Sequence, residues 1–144
     1  MKLKARSFAA ALVFALPMAA SAAGVMTVYK DPHCGCCGKW VEHMKAAGFQ
    51  AKVIDSGDMA AIKQARGVTR ELASCHTTEI DGYVIEGHVP AADVRRLLEE
   101  RPKVAGLAAP GMPMGSPGME GPVQHPYQVL SFDKDGKTAV FARH

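Results

Sequence analysis

VMTVYKDPHCGCCGKWVEHM, residues 25–44, sets three of the chain's four cysteines between an apolar run and a helical pattern. Residues 25–30 read as a short strand and Asp31-Pro32-His33 as the start of a turn. Trp40, Val41, Met44 and Ala47 then recur at helical spacing until Gly48 stops them. Cys34, Cys36 and Cys37 therefore fall where a strand's exit loop meets the first turn of a helix. Unpaired amide N–H groups and the helix dipole favour thiolates there. Cys34 and Cys37 have the C-x-x-C spacing of a redox pair, and Cys36 is one sulfur more than such a pair needs.

The elements further along give this stretch its place. AKVID, residues 51–55, reads as a second strand, and Met59, Ile62 and Ala65 lie on a helix stopped by Gly67. TTEI and YVIE flank Asp81-Gly82, a strong hairpin signal, and Pro90 starts a helix carrying Val94, Leu97 and Leu98 on one face. The order is β-α-β-α-β-β-α, an α/β fold that resembles thioredoxins and glutaredoxins in architecture and in Cys34-x-x-Cys37. Those families place a cis-proline before the third strand, beside the active thiols. This chain has no proline between Pro32 and Pro90 and carries Ser74-Cys75-His76 at the matching place. The topology predicts that Cys75 returns to the other three cysteines, with His76 as a neighbouring imidazole.

Residues 1–23 look like a secretory signal: Lys2, Lys4 and Arg6, then an apolar run from Phe8 to Leu16, then small residues around Ala20-Ser21-Ala22. Cleavage after Ala23 leaves 121 of the 144 residues, enough for one modest core, and no other stretch is long enough to span a bilayer. The three positive charges lost in the leader bring Lys plus Arg down from 17 to 14, equal to Asp plus Glu. Nucleic-acid binding, which needs a basic stripe to neutralise phosphates, is thereby excluded. Export also permits disulfides, but two structural disulfides fit poorly: adjacent Cys36 and Cys37 cannot both find distant partners when Cys75 is the only cysteine outside the cluster.

GLAAPGMPMGSPGMEGPVQHPY, residues 106–127, follows the last helix and holds Met112, Met114, Met119 and His125 among glycines and prolines that rule out a helix. A linker carrying methionines by chance is the competing reading. Thiolates and thioethers are soft ligands that select reduced copper, and imidazole serves either oxidation state. Bridging by surplus thiolates would make the copper site multinuclear. A four-thiolate zinc site would draw on two C-x-x-C knuckles, which this chain lacks. YQVLSF and TAVFA around Asp135-Gly136 read as a closing hairpin that pins the far end of the methionine segment. The expected organisation is a leader over 1–23, a thioredoxin-like domain over 24–105, and a Met/Gly/Pro-rich metal-binding extension with the terminal hairpin over 106–144. Among the other histidines, His33 reads equally as a ligand or a turn residue, His43 as a surface residue and His88 as a turn residue.

DPHCGCCGKWVEHM together with SCHT, DGYVIEGHVP and GMPMGSPGME resembles the family of small exported copper-resistance proteins represented by CopG, defined by a C-x-C-C motif. The resemblance covers nearly the whole chain after the leader. It implies copper binding beside Cys34, Cys36 and Cys37, ligand help from the segment running from Met112 to His125, and interconversion of Cu(I) and Cu(II) in the periplasm. The expected metal ligands are Cys34, Cys36, Cys37, Cys75, His76, Met112, Met114, Met119 and His125. The expected partners are copper ions and a periplasmic copper-efflux or redox protein, and the enzyme class implied is a copper oxidoreductase. The alternatives are a thiol-disulfide oxidoreductase using Cys34 and Cys37, and a disulfide-stapled binding domain without chemistry of its own.

Overall fold

A computed structural model describes residues 24–144; the leader assigned to residues 1–23 lies outside them. The elements are β1 (Met26–Lys30), α1 (Gly35–Ala46), β2 (Ala51–Asp55), α2 (Met59–Ala65), β3 (Thr77–Ile80), β4 (Tyr83–Gly87), α3 (Ala91–Glu100), β5 (Gly106–Ala109), β6 (Gln128–Phe132) and β7 (Thr138–Arg143). They form one seven-stranded mixed sheet in the order β2-β1-β3-β4-β5-β6-β7. Two parallel pairs, β1 with β2 and β4 with β5, are each joined by a helix, and β3, antiparallel to both β1 and β4, lies between them. Among the described residues, no helix is long and apolar enough to cross a membrane.

Local chemistry explains the boundaries. α1 buries Cys37, Trp40, Val41 and Met44, one face at helical spacing, and the chain leaves it through Gly48 at φ +92°. Asp81 and Gly82 both have positive φ, at 48° and 86°, as a two-residue hairpin of the type I′ kind requires. Pro90 caps α3, whose Ala91, Val94 and Leu97 are buried. These side chains join Met26, Val28, Ile85, Leu107 and Val129 in the main core.

The strand β5 is absent from the sequence reading, which placed Gly106–Ala109 at the start of the extension. All four of its residues are buried, and it pairs with β4 on one side and β6 on the other. A Cβ on Gly106 would stand 1.8 Å from the Val84 carbonyl oxygen, so β4 and β5 approach through a glycine. The sheet thus runs unbroken from β4 into the closing hairpin of β6 and β7. Residues 110–127 connect β5 to β6 without helix or strand.

Candidate metal centre

Two elements meet at the site. Cys34 is the N-cap of α1, and Cys36 and Cys37 lie in its first turn. Cys75 and His76 come from the loop that enters β3, the strand beside β1. One sulfur from each of Cys34, Cys36, Cys37 and Cys75 lies within 4.8 Å of every other. Cys34 and Cys37 are joined by a disulfide, while Cys36 and Cys75 are free. Cys36 Sγ stands 3.6 Å from Cys34 Sγ and 3.9 Å from Cys75 Sγ.

A second group shares Cys75: its sulfur and ring nitrogens of His76 and His88 also gather within 4.8 Å. Cys75 Sγ lies 3.0 Å from His88 Nε2 and 3.4 Å from His76 Nδ1. His88 Nδ1 is 2.7 Å from the Pro117 carbonyl oxygen, which only accepts, so Nδ1 carries the proton and donates it. Nε2 is left with a lone pair facing Cys75. A ligating histidine commonly has this arrangement, one nitrogen anchored to an oxygen and the other open to a metal. His76 packs between the rings of Trp40 and His88. Its Nε2 is buried without a hydrogen-bond partner.

Burial sets the protonation of all three. It pushes the Cys75 thiol up to about 11, with the neighbouring Cys36 adding to the shift. It also holds His76 well below the usual imidazole range, helped by His88 and Lys63, and lowers His88. Both imidazoles are therefore neutral and able to ligate, and Cys75 must lose a proton to bind a metal. The donor set fits copper: sulfur suits Cu(I), imidazole suits either state, and the buried His76 ring keeps one nitrogen without a hydrogen-bond partner.

A buried ion pair holds the loop of Cys75 and His76 in place. Glu86 on β4, fully buried, accepts from the Ser74 N–H at 2.6 Å, from Thr77 Oγ1 at 2.7 Å and from Lys63 Nζ at 2.5 Å. Its partners thus lie on both sides of Cys75 and His76. Ser74 Oγ in turn donates to the Gly111 carbonyl, and the Gly111 N–H donates to the Ala73 carbonyl at 3.0 Å. These bonds tie the start of the methionine segment to the Cys75 loop.

The segment then crosses the N-terminal end of α1. At Gly118, with φ +87°, a Cβ would lie 2.7 Å from the Cys36 carbonyl oxygen, 2.9 Å from the Trp40 nitrogen and 3.3 Å from His88 Nδ1. Met114 and Met119 are half-buried in this segment, whereas Met112 is exposed. His125 is exposed, donates its backbone N–H to the Met114 carbonyl, and lines a separate hollow with Tyr127 and His144.

The structure thus brings the four cysteines together and sets His76 beside Cys75. His88, read there as a turn residue, is fully buried at the site. The one sequence signal for it is Gly87, whose φ of +72° turns the chain inward after β4. His43, read as a surface residue, is half-buried, and its Nε2 accepts the Ala91 N–H at 3.2 Å at the start of α3.

Comparison with known proteins adds three findings. A family profile described as "Protein of unknown function, DUF411" matches residues 72–119. Two solved structures, described as "Copper resistance protein copG", forms 1 and 2, are each 45% identical to this chain with a TM-score of 0.79. Each match covers 83% of this chain, and 97% of the form 2 chain or 96% of the form 1 chain. No curated protein matches.

Proposed function

Because the chain belongs to the family of CopG copper resistance proteins, we propose that it binds copper at Cys34, Cys36, Cys37 and Cys75 and interconverts Cu(I) and Cu(II) in the periplasm after its leader is removed. One observation carries the copper reading: the four sulfurs lie within 4.8 Å of one another, and Cys75 among them also faces the His88 Nε2 lone pair at 3.0 Å. His76 and His88 supply the imidazoles that let the site accept Cu(II) as well as Cu(I). Met112, Met114, Met119 and His125 contribute further ligands from the segment that covers α1, and bridging thiolates make the centre multinuclear. The sheet order β2-β1-β3-β4, with the cysteines at the N-terminus of α1, supports a thioredoxin-like core over 24–105 bearing the 106–144 extension. A periplasmic copper-efflux or redox protein is the partner this reading calls for.

The test is the copper content and spectrum of the protein purified with and without reductant, beside Cys36→Ser. The parent should retain copper and the variant should lose it, because the Cys36 sulfur stands next to those of both Cys34 and Cys75. Equal copper in both would reject the cluster. The Cys34–Cys37 bond favours a second reading, thiol-disulfide exchange on protein substrates. That reading requires Cys36→Ser to reduce a peptide disulfide as fast as the parent and neither protein to hold copper.

A further inference from the structure

The four sulfurs are not equivalent, and their differences divide the work of the site. Cys34 and Cys37 sit on one turn of α1, with Cα atoms 5.4 Å apart, and are already bonded. Cys36 lies between them in sequence yet remains a free thiol, its sulfur turned within 3.9 Å of Cys75. Cys75 is held by the two imidazoles, with the His88 ring fixed by the Pro117 carbonyl. Closing the Cys34–Cys37 bond removes two sulfurs from the first group of ligands and leaves the second, Cys75 with His76 and His88, intact and still within reach of Cys36.

We propose that Cys34 and Cys37 are the electron donors for copper reduction, and that Cys36, Cys75 and His88 are the ligands that keep copper while that pair is oxidised. The inference rests on the copper-binding function argued above. Two Cu(II) ions each accept one electron, the Cys34 and Cys37 thiolates each give one, and the two sulfurs join. Two Cu(I) and one disulfide result, and any thiol protons pass to solvent. A second round requires an external dithiol to reopen the bond by exchange, so the protein alone stops after two Cu(I) per chain. The surplus thiol in the C-x-C-C motif then has a purpose: it lets the redox pair close without emptying the site.

The experiment uses the full chain after leader removal, reduced, stripped of metal and kept anaerobic. Cu(II) sulfate is added, Cu(I) is counted with a Cu(I)-specific chromogenic chelator after unfolding, and free thiols are alkylated and mapped by mass spectrometry. The expected result is two Cu(I) per chain, a Cys34–Cys37 disulfide, and alkylated Cys36 and Cys75. The same protein with the bond closed beforehand should form Cu(I) at least tenfold more slowly. A disulfide containing Cys36 or Cys75, four alkylated thiols without Cu(I), or equal rates from the open and closed forms would overturn the proposal. Cu(I) supplied directly to the reduced protein separates the two levels. Uptake of Cu(I) alongside any of those three results overturns the electron-donor assignment alone, and no uptake overturns the copper-binding function with it.

Discussion

The Pro117 carbonyl decides which nitrogen of His88 faces Cys75, and a single backbone oxygen thereby makes a buried imidazole into a ligand. His88→Ala should weaken Cu(I) binding at least tenfold, read by competition with a chelator of known affinity, because it removes both the ligand and its tie to the covering segment. His43→Ala is the contrasting change. It deletes the acceptor for the Ala91 N–H and should cost about 1 kcal/mol in denaturant unfolding while leaving copper affinity unchanged. The difference between these histidines is not legible in the sequence, since both depend on backbone groups far along the chain. Cys75 is legible, because the element order alone carries the loop before β3 to the end of α1. Proline's absence there is an added clue.

At the scale of elements, the Lys63–Glu86 pair joins α2 and β4 and grips the loop between them. Lys63→Met leaves a buried carboxylate without its cation and should destabilise the fold by roughly 3 kcal/mol or more in denaturant melts. Adding Glu86→Gln should recover part of that loss, since the uncompensated charge is gone. The methionine segment invites a gentler change. Replacing Met112, Met114 and Met119 together with leucine keeps apolar bulk and deletes the thioethers, so copper affinity should fall while the unfolding midpoint holds. Unchanged affinity would make the segment a cover only. Elements from β1 to α3 are readable because each alternates or repeats at its own period and ends on a glycine or proline. β5 is unreadable by that means: Gly106–Ala109 is buried on both faces, has no polar alternation, and abuts the proline-rich run that masks it.

For the molecule as a whole, that hidden strand joins the cysteine-bearing half to the closing hairpin. Gly106→Ala would drive a methyl group into the Val84 carbonyl and should destabilise the entire sheet by about 3 kcal/mol or more, seen as one cooperative loss of structure in a thermal melt. A separate early transition confined to β6 and β7 would mean that the two halves fold independently.

The close approach of Gly118 to the backbone of α1 also bears on the birth of the protein. Residues 110–127 are synthesised after everything they cover, so a growing chain shows all four cysteines before it owns the walls that shape them. Copper met at that stage would find bare sulfur in many interchangeable pairings and hold the chain in the wrong one. The order of translation thus asks for the ion to come last: refolding with Cu(I) present from the start should give less native protein than refolding first and loading afterwards.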